Sequence, residues 1–263
     1  MKRVIGCLLF AMMTMGGWAE DNKTELYSAE LVKKAEAGDA TAQLKLADCY
    51  SQGLGVAANK AKALELYIAA SKKYDEASYK AQKLITSYEL QGAAVDPEAM
   101  RVLGKLYQDG DGVKKNLEKS FNYFKSSAEL GNVGAQMNLG YCYLNGLGTL
   151  ADPSKALFWY TKSAESGDAD AMQSLSQLYI NGVGTEINLR KAFGLVKQSA
   201  EKGNAEAQYN MGVFYYKGVV VPQDYSLAKE WCEKAAKQNN EDAKKLLIGI
   251  QFLDKYEKKT PKN

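Results

Sequence analysis

The sequence predicts an all-α solenoid of helix-turn-helix repeats, and three observations carry that prediction. The first is a period: Ala99, Ala135, Ala171, Ala207 and Ala243 follow one another at steps of 36 residues. The second is what travels with that alanine. Four residues on stands Leu46, Leu103, Leu139, Leu175 or Met211, counting the first copy from Ala42. Five residues on stands a small residue, Ala47, Gly104, Gly140, Ser176 or Gly212, and eight on stands Tyr50, Tyr107, Tyr143, Tyr179 or Tyr215. The third is a Gly-x-Gly pair just beyond the tyrosine, at Gly53/Gly55, Gly110/Gly112, Gly146/Gly148 and Gly182/Gly184, with Gly218 followed by Val220 in the last copy. A repeat of about 20 to 50 residues marks units that cannot bury an apolar face alone and must stack on neighbours.

Residues 1–19 stand apart. Lys2 and Arg3 precede an uncharged apolar run from Val4 to Met15, and Gly17 and Ala19 supply the small residues a signal peptidase reads, so cleavage is expected before Glu20. The run is shorter than the ~20 residues of a membrane-spanning helix. The expected product is periplasmic, with a secreted or membrane-tethered form as the alternative and no stable membrane insertion. Removing Lys2 and Arg3 from 34 basic residues leaves 32 against 31 acidic, a balance without the basic face that nucleic acid requires.

Within the repeat from Asn132 to Gly167, Ala135, Leu139, Cys142 and Tyr143 fall at i, i+4, i+7 and i+8, one face of a helix over about 133–144. Asn145-Gly146-Leu147-Gly148 ends it, since a glycine just past a helix takes the left-handed conformation that closes it. Asp152-Pro153 opens a second helix as cap and first-turn proline, with Ala156, Trp159, Tyr160, Ser163 and Ala164 on its buried face, and Gly167 ends it. The small residues at Gly140 and Ala164 let the two helices approach closely, and the aromatic residues fill the space beside them.

The string Ala135, Leu139-Gly140, Tyr143, Gly146-Leu147-Gly148, Lys155-Ala156, Trp159-Tyr160, Ser163-Ala164, Gly167 closely resembles the Sel1-like repeat, a 36-residue relative of the tetratricopeptide repeat. The resemblance runs from about Gly38 to Asn239. It implies a right-handed α/α superhelix and an adaptor or scaffold for protein complexes.

The domain is expected to span 20–257, with repeats at 38–73, 96–131, 132–167, 168–203 and 204–239. An irregular helical insert occupies 74–95, where Asp75-Glu76-Ala77, Ala81, Leu84, Ile85 and Tyr88 read as a first helix that has lost its partner and Leu90-Gln91-Gly92 as its stop. A kink or break in the superhelical path is expected there. Residues 240–257 start a sixth copy that lacks its turn and serve as a cap, and 258–263 form a polar tail.

The chain has no histidine, which removes Ser-His-Asp and Cys-His nucleophile arrangements and histidine-bearing zinc sites. The glycine pairs follow helices rather than strands and lead to no Lys-Ser or Lys-Thr, so they are turns and not a phosphate cradle. Asp109, Asp111 and Asn116 lack the acidic ligand set of a calcium loop. Cys49, Cys142 and Cys232 occupy core positions in different repeats, too far apart for a disulfide, and are expected to be free buried thiols. No cofactor and no metal are expected, and catalysis finds no support.

The resemblance places the inward-facing positions two, three, six and nine residues after the anchoring alanine. That gives Arg101, Val102 and Lys105; Met137, Asn138, Tyr141 and Leu144; Gln173, Ser174, Gln177 and Ile180; and Tyr209, Asn210, Val213 and Tyr216. Amides, tyrosines and few charges suit adaptable hydrogen bonding and aromatic anchoring of a protein partner. Related bacterial proteins act as regulators of sensor kinases, envelope-assembly factors or immunity proteins, so the expected partner is an envelope receptor, a complex component or a secreted effector toxin. Two alternatives are a hydrolase of the cysteine-rich type that acts on β-lactams, whose paired cysteines this chain lacks, and a cell-wall glycan binder using tyrosines and Trp159.

Overall fold

The computed structural model describes residues 27–90 and 96–257. The expected leader, the end of the insert at 91–95 and the tail lie outside them. Among the described residues there are 13 helices and no strand: α1 (Ala29–Glu36), α2 (Ala40–Gln52), α3 (Lys60–Ser71), α4 (Asp75–Leu90), α5 (Pro97–Asp109), α6 (Leu117–Glu129), α7 (Val133–Asn145), α8 (Pro153–Glu165), α9 (Ala169–Asn181), α10 (Leu189–Glu201), α11 (Ala205–Lys217), α12 (Tyr225–Lys237) and α13 (Glu241–Glu257). The architecture is an α/α solenoid of helical hairpins. Its described residues group into two compact units, with the boundary between Tyr123 and Phe124.

In the first unit α1 packs on α2, α2 on α3, and α3 on both α4 and α5; in the second the chain from α7 to α13 packs each helix on its predecessor. The anchoring alanines are sealed, with Ala99, Ala135, Ala171, Ala207 and Ala243 all at 0% exposure. Such a residue leaves no room for a larger one, and this is why the alanine recurs at every step.

Each hairpin closes by the same devices. The first helix ends on a left-handed glycine, Gly53, Gly110, Gly146, Gly182 or Gly218, whose N–H donates to the carbonyl four residues back. The second helix opens on Asn59, Asp152, Asn188 or Asp224, each accepting a hydrogen bond from the backbone N–H three residues on. The N–H of the same residue donates to the carbonyl of the repeat tyrosine, at 2.8 Å for Asn59 to Tyr50, Asp152 to Tyr143 and Asn188 to Tyr179, and 3.0 Å for Asp224 to Tyr215. That tyrosine therefore fixes the turn through its backbone as well as packing through its ring.

A lysine at the start of the second helix stands over the same ring. Lys62 lies 5.2 Å from the Tyr50 centroid, Lys119 4.8 Å from Tyr107, and Lys155 and Lys191 each 5.3 Å from Tyr143 and Tyr179. The last copy has Leu227 at that place. It also departs at Val220, which takes φ +70 where its counterparts are glycines.

Helix α1 is absent from the sequence reading. Ala35-Glu36-Ala37-Gly38-Asp39 nevertheless has the pattern of Ala164-Glu165-Ser166-Gly167-Asp168, the end of a second helix and the cap of the next first helix. Gln43 donates to the Ala35 carbonyl as Gln136 does to Ala128 and Gln208 to Ala200, so α1 stands to α2 as the second helix of one repeat stands to the first helix of the next.

Helix α4 is the insert, a first helix as expected: Ala77, Ala81 and Ile85 bury it at the anchor, +4 and +8 positions against the core around Leu64, Tyr67 and Leu103. At the far end α13 packs Ala243, with Leu246 and Leu247, onto Cys232 and Ala235. Among the described residues Cys49, Cys142 and Cys232 are free and buried.

Candidate interaction surface

The repeat register brings position +6 of one first helix against position +3 of the next. In the first unit this junction is Asp48 and Lys80. Lys80 Nζ donates to both carboxylate oxygens of Asp48, at 2.8 and 2.9 Å, and pairs with Glu76 at 2.8 Å, while the Tyr67 hydroxyl donates to Asp48 Oδ1 at 2.6 Å. Burial alone would lower the Lys80 pKa, but its hydrogen bonds to Asp48 and Glu76 carry it well above the ordinary lysine range. Arg101, on the next first helix, is fastened by Glu98 at 2.6 Å and Glu65 at 3.0 Å. Lys105 is exposed. Here Asp48, Lys80 and Arg101 are engaged in ion pairs within the unit, while Lys45 and Lys83, at the same repeat positions, are exposed as Lys105 is.

The second unit carries the same positions without charge. Met137, Asn138, Ser174, Gln177, Tyr209, Asn210, Val213 and Tyr216 are half-buried, Tyr141 is 46% exposed, and Tyr216 leans on Tyr225 with ring centroids 5.6 Å apart. Gln173 departs from the expectation: at 7% exposure it belongs to the interior, where its carbonyl accepts from Ser176 Oγ at 2.7 Å. The sequence showed only that a polar residue held position +2; the bond from Ser176 is to the backbone carbonyl, and the side-chain Nε2 is buried without a hydrogen-bond partner.

The two junctions of this unit differ. In the first, Tyr160 reaches from the second helix of its own repeat to hydrogen-bond Ser174 of the next; burial pushes its phenol far above the ordinary range, and that hydrogen bond opposes the shift. In the second, the residue equivalent to Tyr160 is Val196, fully buried and without a hydroxyl. Asn210, at the position equivalent to Ser174, has a buried Nδ2 with no hydrogen-bond partner. Gln177 and Ile180 of α9 and Asn210 and Val213 of α11, four residues singled out by their repeat positions, line a cleft of about 240 Å³ together with Leu189, Phe214, Lys217 and Val219.

No group of His, Cys, Asp or Glu among the described residues has the arrangement of a metal site, and no described helix is long and apolar enough to cross a membrane. Asn116, weighed above as a cation ligand, caps α6 by accepting from the Lys119 N–H at 2.9 Å.

The Sel1 repeat profile matches five segments, 40–75, 97–132, 133–168, 169–204 and 205–240. The chain belongs to the Sel1 repeat family. The matched Sel1 segments agree with the five repeats read from the 36-residue period to within two residues at either end. No curated protein sequence matches the chain. Among solved structures, a Sel1 repeat protein from Oxalobacter formigenes is 28% identical, with 92% of this chain and 86% of that one covered and a TM-score of 0.59. Two proteins of Pseudomonas aeruginosa described as immunity proteins, Pa5087 and PA5088, are 22% and 18% identical over 81% and 77% of this chain and 72% and 82% of theirs, with TM-scores of 0.38 and 0.37. Sel1 repeats are generally scaffolds for other proteins rather than enzymes.

Proposed function

We propose that this Sel1 protein is an exported, periplasmic adaptor that holds a partner protein on the first-helix face of its second unit. One observation supports the reading: the repeat positions that carry charge in the first unit, as paired Asp48, Lys80 and Arg101 and exposed Lys45, Lys83 and Lys105, hold uncharged residues in the second, most of them part-exposed amides and tyrosines. Of the charges in the first unit, Asp48, Lys80 and Arg101 are already neutralised by neighbours and have little left for a partner. Tyr141, Asn138, Gln177, Tyr209 and Tyr216 instead offer the aromatic and amide chemistry of protein interfaces. Export rests on residues 1–19, and its check is the N-terminus of the protein recovered from the periplasm, expected at Glu20.

The test is capture from envelope extract by residues 20–263, comparing the native chain with Asn138→Ala/Tyr141→Ala/Gln177→Ala. A protein retained by the native chain and lost by the triple variant supports the reading. Equal retention by both overturns the assignment of the face, and retention of glycan alone overturns the adaptor. An effector toxin in the eluate assigns an immunity role; a receptor domain assigns a regulatory one.

A further inference from the structure

Between α8 and α10 the second-helix side of the repeats opens into a groove of about 360 Å³, with Met172, Leu175 and Tyr179 of α9 beneath it. These stand at positions +1, +4 and +8, on the side of α9 opposite to Ser174 and Gln177 at +3 and +6. One repeat later, Trp231 of α12 packs against the cluster that holds Ala192, Val196 and Ala200, with Lys234 Nζ 4.0 Å from its ring centroid. The equivalent residues of α10 are the smaller Leu195 and the uncharged Gln198, and both line the groove. Gly194 lines it too, where the other copies carry Glu65, Asn122, Phe158 and Glu230. Gly140 and Gly212 make room for Tyr160 and Cys232, but a Cβ at Gly194 would meet nothing within 4 Å, in the middle of a helix that glycine weakens. Packing among the described residues does not call for that glycine; a ligand lying close along the helix does.

The charges of the groove are laid out unequally. Arg190 and Lys191 are exposed in the first turn of α10, which holds no acidic residue and where the helix dipole disfavours cations. The equivalents of Arg190 are Glu118, Ser154 and Ser226, and no ion pair among the described residues holds Arg190 itself. Gln198 lies two turns further on, ~12 Å along the axis, and Glu165 closes the α8 side at the last residue of that helix.

We propose that this groove docks a polypeptide segment carrying an aromatic side chain beside a carboxylate: the ring takes the place that Trp231 holds one repeat later, and the carboxylate pairs with Arg190 and Lys191. The site lies apart from the first-helix face and goes beyond the function proposed above. Charge complementarity fixes the acidic end, since two cations and a helix N-terminus converge there. The polar far end selects a polypeptide, whose backbone amides answer Glu165 and Gln198; the tail of an amphiphilic anion would strip water from both.

Methyl NMR of the native chain reads the groove at Met172, Leu175 and Leu195. The probes are the peptide acetyl-Gly-Trp-Glu-Gly-amide, the same peptide with Gln for Glu, the same peptide with Gly for Trp, and decanoate. Saturable shifts are expected with the first peptide, binding about 3- to 10-fold weaker with Gln in place of Glu, the effect of an ion pair at a groove edge, and no saturable shift without the Trp. Arg190→Gln should remove most of the preference for Glu over Gln at an unchanged melting temperature. Gly194→Leu, which fills the groove from an open backbone position, should abolish binding while the melting temperature holds or rises. Absence of saturable shifts in the folded native protein, equal affinity for the Glu and Gln peptides, or undiminished binding by Gly194→Leu overturns the proposal. Decanoate shifting these methyls where the peptides do not would make the groove a site for amphiphiles and overturns it as well. Envelope capture reads the first-helix face separately, and Gly194→Leu should leave that capture as it is.

Discussion

Gly140 of α7 lies directly against the ring of Tyr160 in α8: a Cβ at Gly140 would fall 2.8 Å from the ring's Cδ1. Tyr160 is 2% exposed and cannot swing away. Alanine at 140 improves helix propensity by ~1 kcal/mol, yet overpacking costs about 1–3 kcal/mol, so Gly140→Ala should be destabilising in denaturant unfolding. The neighbouring repeat solves the same contact with the pair Ser176 and Val196, which predicts that the alanine costs little in a Tyr160→Val background. An equal cost in both backgrounds would show that the ring is not the obstacle.

Val220 holds a left-handed backbone that a β-branched residue tolerates poorly, and every counterpart in the other four repeats is glycine. Val220→Gly relieves that strain at some cost in chain entropy, for a net gain of about 0.5–2 kcal/mol. A rise of a few degrees in melting temperature is expected. Val220→Ala, which keeps a Cβ, should gain less; if it gains as much, the benefit does not come from the dihedral angle.

The Asp48–Lys80 pair fastens the inserted helix α4 to the first repeat, with both side chains less than a third exposed. Asp48→Ala and Lys80→Ala should each lower stability by about 1–3 kcal/mol, and a double-mutant cycle should yield a coupling of about 0.5–3 kcal/mol. Additive losses would mean that α4 is held by Ala81 and Ile85 alone.

Burial pushes the thiols of Cys142 and Cys232 up to about 11 from an ordinary value of 9.0. The folded state thus keeps neutral thiols that the unfolded chain ionises first, so their contribution is whole below pH 9 and is lost as pH rises to about 11. Melting temperatures of the native chain and of Cys142→Ala/Cys232→Ala, taken from pH 8 to 11, should converge as pH rises. Parallel curves would place the alkaline loss in other groups.

The repeats were legible because each structural demand recurs. The sealed alanine and the left-handed glycine that ends the first helix each leave one allowed residue type, five times over, and the repeat tyrosine keeps its place in every copy. Helix α1 was missed because its signal, Ala35-Glu36-Ala37-Gly38-Asp39, marks only a helix end, without the alanine, tyrosine and Gly-x-Gly pattern that announces each complete copy. The lysine over the repeat tyrosine was also unread, since the contact joins residues 12 apart across a turn and neither residue type requires the other.

The site was legible only as a list of positions. Arg101 and Gln173 satisfy the same spacing as Met137 and Tyr209, yet one is locked between Glu98 and Glu65 and the other is buried beside Ser176.

By itself the sequence determined the helices, their caps and turns, the 36-residue step and the identity of the core, because these depend on local backbone geometry and on which residue fits a fixed gap. Only the tertiary structure decided which polar side chains remain available: that depends on partners from other repeats, such as Lys80 for Asp48 and Tyr160 for Ser174.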